Sequence, residues 1–142
     1  MKIKIFSIFL ILISIPDHAY SDICSENRYN ICQTAKTIQK EMAKNTPQKI
    51  SKNILMRSVT VFDNQLTINA MLLYDKQFLE DAVRKGNRTM SSINSQMKET
   101  TIKYICSTSH LSRFIKEGGE LSYQYQFNDG EKYLSIHIRS CR

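Results

Sequence analysis

Cys24, Cys32, Cys106 and Cys141 are the residues of this chain with the widest choice of chemistry. A thiolate can serve as a nucleophile, a metal ligand or half of a disulfide, and spacing and compartment decide among these roles. No two of the four form a C-x-x-C pair, so the zinc-site spacing is missing. An even count behind an export signal points instead to two disulfides. Four thiols allow three pairings. Cys24 and Cys32 are close together at the entry to a predicted helix, and Cys106 and Cys141 bracket the C-terminal third, which favours those two pairs. The second would close a long loop, worth roughly 3 to 4 kcal/mol if chain entropy governs.

Other reactive groups are few. Beyond residue 21 there are two histidines, His110 and His137, which fall on different predicted elements without an H-x-H or H-E-x-x-H pattern to join them. Glycoside chemistry needs two carboxyls about 5 to 10 Å apart with one in an apolar pocket. The acids here stand in solvated settings: Glu117 and Glu120 flank two glycines, Asp129 and Glu131 flank a turn, and Glu80 and Asp81 share an exposed helix surface. No serine sits in a G-x-S-x-G elbow, and no glycine-rich phosphate loop occurs. No catalytic residue, metal or cofactor is therefore expected, and the chain reads as a binding protein rather than an enzyme.

The chain has 142 residues, with 20 Lys and Arg against 13 Asp and Glu, a net charge of +7. Nucleic-acid binding would require these cations to cluster with interleaved aromatics. They are spread instead, most densely at Lys36, Lys40, Lys44, Lys49 and Lys52 and at Arg84, Lys85 and Arg88. They read as solvated faces or as a surface that steers an anionic partner. No nucleic-acid partner is expected.

The elements that must position these groups begin with an address. Lys2 and Lys4 precede an apolar run from Ile5 to Ile15, Pro16 breaks it, and Ala19 and Ser21 supply the small-x-small pattern of a signal peptidase site. The run is too short for the ~20 residues that span a bilayer. Residues 1 to 21 are expected to be a signal peptide cleaved before Asp22, leaving 22 to 142 as one periplasmic domain without stable membrane insertion. Loss of Lys2, Lys4 and Asp17 leaves 18 basic and 12 acidic residues, a net +6. Ser21-Asp22-Ile23 lacks the run of small residues that precedes a lipidated cysteine.

In the mature part, Ile31, Ala35, Ile38 and Met42 form a helical stripe that Thr46 and Pro47 end. Apart from Arg57 and Ser58, residues 54 to 62 are apolar or β-branched, Asp63-Asn64 is a turn, and Leu66, Ile68, Ala70, Leu72 and Tyr74 alternate with Thr67 and Asn69, which predicts a hairpin. Asp75 can cap the helical pattern that follows, one long helix or two over 76 to 105, and 109 to 116 reads as a short helix ended by Gly118 and Gly119. A second hairpin places Leu121, Tyr123, Tyr125 and Phe127 opposite Leu134, Ile136 and Ile138 across Asn128-Asp129-Gly130. The predicted fold class is α+β, in the order α-β-β-α-α-β-β, with a four-stranded antiparallel sheet of two hairpins and helices on one face.

Ile105-Cys106, Leu111, Ile115, Gly118 or Gly119, Tyr123-x-Tyr125, Asp129-Gly130, Ile138 and Cys141 resemble a pattern in small exported bacterial proteins. With its leader, its size and its richness in Lys, Ile, Ser and Asn, the whole chain resembles the periplasmic bacteriocin immunity proteins. That resemblance implies a non-enzymatic inhibitor that binds a bacteriocin, a peptidoglycan-degrading muramidase, by direct contact. Exposed loops and polar strand positions then nominate Arg84, Lys85, Arg88, Glu117, Tyr133, His137 and Arg139 as the contact surface, with Tyr133 the freest of the aromatics. The competing reading is a periplasmic accessory of a secretion, pilus or conjugation apparatus, which would hold a partner segment in a groove or at a sheet edge. Oligomeric state is left open.

Overall fold

A computed structural model describes residues 24 to 141. The expected signal peptide and its cleavage site lie outside the described residues. After a 3-10 turn at Glu26–Arg28 come α1 (Tyr29–Ala43), β1 (Gln48–Ser51), β2 (Ile54–Phe62), β3 (Gln65–Leu72), α2 (Lys76–Lys85), α3 (Met90–Ser107), α4 (Ser109–Lys116), β4 (Glu120–Gln126) and β5 (Lys132–Ile138). Among the described residues the class is α+β, and Cys24 pairs with Cys32 and Cys106 with Cys141.

The sheet differs from expectation in two ways. It has five strands in the order β1-β2-β3-β4-β5 rather than four. The extra strand, Gln48-Lys49-Ile50-Ser51, is exposed throughout and holds a single apolar side chain, so it carries no alternation to read. It is also mixed rather than antiparallel, because β3 and β4 run parallel from Gln65↔Glu120 to Met71↔Gln126. Parallel neighbours need a crossover. Here the crossover holds three helices, so the observed order is α-β-β-β-α-α-α-β-β. The break between α2 and α3 falls at Gly86 and Asn87, the latter at a left-handed φ of 50°, and Thr89 restarts the chain with a capping box to Ser92.

The predicted helices bury their apolar stripes on one sheet face. Alternation in β3 sinks Leu66, Ile68, Ala70 and Leu72 against Ile105, Leu111 and Phe114 from the helices and Leu121, Phe127 and Ile136 from the neighbouring strands. Asp75 caps α2 by accepting from the Phe78 N–H at 2.7 Å. Gly118 ends α4 at a φ of 98°, and at Gly119 an added Cβ would stand 2.4 Å from the Phe114 ring, so the strand enters the sheet against that ring. The opposite face is helix-free and polar in its middle, with Leu55 and Met71 toward one end and the exposed Phe62 toward the other. Two rungs cross it, Ser58, Asn69, Gln124 and Ser135 on one, and Thr60, Thr67, Ser122 and His137 on the other.

Candidate functional site

Tyr123 and Tyr125 stand on adjacent core-facing positions of β4, and both rings lie beneath α3 rather than beneath solvent. Ala70 makes room for them. It is paired with Tyr125 on one side and Met56 on the other, so a small side chain separates two large ones. The rings of Tyr123 and Tyr125 are 4.9 Å apart. The Thr101 hydroxyl donates to the Met97 carbonyl at 2.7 Å and accepts from the Tyr125 hydroxyl at 2.9 Å. A buried tyrosine needs such a partner for its polar tip.

Where α3 draws away from the start of β2, these two tyrosines floor a groove of about 420 Å³. Thr100, Thr101 and Tyr104 of α3 form one wall, and β1 with Ile54 forms the other. A smaller hollow of about 210 Å³ extends it past Met97 and Gln96, sharing Ile54, Thr100, Thr101 and Tyr125. Tyr104 is 54% exposed and Ile50 39%, so the two lips present apolar area to solvent. Burial raises the Tyr123 hydroxyl well above the usual tyrosine range, with Tyr125 and Tyr104 adding to the effect. Tyr125 is raised by burial too, and Thr101 and Tyr123 partly offset this through hydrogen bonds. These phenols stay neutral at any physiological pH. The groove has an aromatic floor with neutral hydroxyl edges, suited to gripping an apolar segment and holding no acid, base or nucleophile.

The residues nominated from sequence do not converge on this groove. Arg84 pairs with Asp81 on α2, and Arg88 donates to the Gln96 side chain at 2.6 Å. Lys85 ends the same helix. Glu117 lies beyond α4, near Arg28 and Tyr29. His137 near the end of β5 and Arg139 just beyond it line one cleft, and Arg139 bonds Glu120 at 3.2 Å. Tyr133 is not free: its ring packs on Phe127 at 4.9 Å and its hydroxyl donates to Asn94. The sequence reading missed Ile50, Thr100, Thr101 and Tyr104. One signal was available, the choice of tyrosine over phenylalanine at two core positions. Among the described residues no group of three His, Cys, Asp or Glu is arranged to hold a metal, and no helix is long and apolar enough to cross a membrane.

No protein-family model matches the chain, and no curated protein matches it in sequence. Solved structures share its fold. A pilotin of the Vibrio vulnificus type II secretion system superposes with a TM-score of 0.64 at 8% identity, over 82% of this chain and 96% of its own. The type II secretion pilotin of Vibrio cholerae gives 0.60 at 10% identity, over 80% and 92%. A Pseudomonas aeruginosa protein inferred to be secreted gives 0.62 at 20% identity, over 84% and 99%. At these identities the likeness is one of fold. None of the three is described as a bacteriocin immunity protein.

Proposed function

We propose that this protein is an exported, non-catalytic accessory of a secretion or envelope-assembly apparatus, and that it holds a segment of a partner protein in the tyrosine-floored groove. The observation that carries this reading is the groove itself: an aromatic floor with exposed Ile50 and Tyr104 at its lips, on a fold shared with two type II secretion pilotins. Export is supported by the two disulfides, which persist in oxidising compartments, and by the fold shared with a protein inferred to be secreted. Floor and wall are built on a sheet and a helix rather than on loops, so little ordering entropy is lost when a segment docks. Tyrosine in a desolvated pocket is a common anchor of such interfaces.

Deleting the gene and measuring exported proteins in the medium tests the reading. Secretion is expected to fall, and a folded Ile50→Asp/Tyr104→Ala variant is expected not to restore it. Unchanged secretion in the deletion strain would contradict the accessory role. The immunity reading rests on the sequence resemblance alone, and the same strain separates it: increased killing by a muramidase bacteriocin, with secretion intact, would favour an inhibitor.

A further inference from the structure

We propose that the outer edge of β5 and the adjoining flank of α3 form a second docking surface, which takes an extended, acidic segment of a partner chain by strand addition. This surface lies on the other side of α3 from the tyrosine groove, and the inference does not depend on what that groove binds.

The two edges of the sheet are unequal. β1 is blunted: it has four residues, follows Pro47, and breaks register between Lys49 and Ser51. β5 has seven residues and pairs with β4 in unbroken register from Leu134 to Ile138, and among the described residues no strand pairs with its other side. A regular edge of this kind offers a row of backbone donors and acceptors to an incoming strand.

A cleft of about 1200 Å³ runs beside that edge, between the C-terminal half of α3 and the end of β5. Ile102 and Ile138 give it an apolar lining, and Lys98, Lys103 and Arg139 stand around it. The Cys106–Cys141 disulfide, at a Cα separation of 5.4 Å, fixes the end of β5 relative to α3 beside the cleft. Arg139 is occupied by Glu120, and Glu99 is the one acid in the lining. Among the described residues neither Lys98 nor Lys103 has an ion-pair partner.

Charge then selects the occupant. A second copy adding its own β5 would bring Lys98, Lys103 and Arg139 toward the same groups of its twin, which is unfavourable. A strand with alternating acidic side chains would set its carboxylates toward the α3 side, where the two lysines stand, and its remaining side chains toward the helix-free face.

The test uses the disulfide-intact protein and a blocked heptapeptide of alternating Val and Glu, with a Val and Lys peptide as control. The Glu peptide is expected to shift and slow the exchange of amides in β5 and in residues 98 to 107. Affinity should weaken at least ~10-fold in the Lys98→Glu/Lys103→Glu variant and several-fold on raising salt. Both lysines are exposed, and a circular dichroism spectrum checks that the variant folds. Four results would each overturn the proposal: no binding, shifts confined to the tyrosine groove, equal binding of the Lys peptide, or a dimer of the free protein that protects β5.

Discussion

Tyr123 and Tyr125 link the stability of the fold to alkaline pH. Both hydroxyls are raised above their ordinary value chiefly by burial. The unfolded chain loses these protons near the usual tyrosine pKa of about 10, while the folded chain keeps them to higher pH. The stability they contribute is complete below about pH 10 and is lost as pH rises through the folded-state values. The melting temperature is therefore expected to be insensitive to tyrosine titration near neutrality and to fall beyond about pH 10, and replacing both residues with Phe should flatten that fall. A melting temperature that declines equally in the double Phe variant would place the cause elsewhere. Gly119 gives a second test at this scale. An Ala there puts a methyl 2.4 Å from the Phe114 ring, whereas Gly130, at a φ of 91°, faces open space. Gly119→Ala should cost about 1 to 3 kcal/mol or more through overpacking, and Gly130→Ala about 1 kcal/mol through backbone strain. Denaturant unfolding measures both.

At the scale of elements, the two disulfides differ in what they hold. Cys24–Cys32 spans 8 residues and staples the turn before α1, whereas Cys106–Cys141 spans 35 and joins α3 to the end of β5. On the chain-entropy model the longer loop is worth roughly 3 to 4 kcal/mol and the shorter about 2 to 3. Replacing Cys106 and Cys141 with Ser should lower the unfolding midpoint more than replacing Cys24 and Cys32, and the reverse order would contradict the model. Elements with a strong period were legible in the sequence. Leu66 to Ala70 and Leu121 to Phe127 alternate without interruption, and 109 to 116 ends at two glycines, so β3, β4 and α4 fall where residue types place them. β1 was not legible, because Ile50 alone cannot make a pattern and the pairing of Gln48 with Met56 and Lys49 with Leu55 depends on the register of another strand. Nor was the parallel contact of β3 with β4, since hairpin turns specify antiparallel neighbours but nothing local specifies how two hairpins meet.

At the scale of the molecule, the candidate site was illegible for the same reason. The groove joins residues near 50, near 100 and near 124, which only the completed sheet and the placement of α3 bring together. Exposure picked out Arg84, Lys85, Arg88 and Glu117 because a sequence reports polarity and turns well and concavity hardly at all. The whole protein is a helix-covered sheet whose covered face holds the tyrosine groove and whose net positive charge favours encounter with anionic partners. Under the proposed function charge steers and the groove grips, so raising salt should slow association more than it speeds release. Stopped-flow binding at two ionic strengths checks this once a partner is in hand.

The claim that the groove between α3 and β1 holds a partner is tested most directly by photo-crosslinking in living cells from position 100. Thr100 lies in the groove wall, and Thr60 lies on the helix-free face as a control. The expected result is one discrete crosslinked envelope protein from position 100, abolished by Tyr104→Ala, with none from position 60. No crosslink from position 100, or the same product from both positions, would contradict the account.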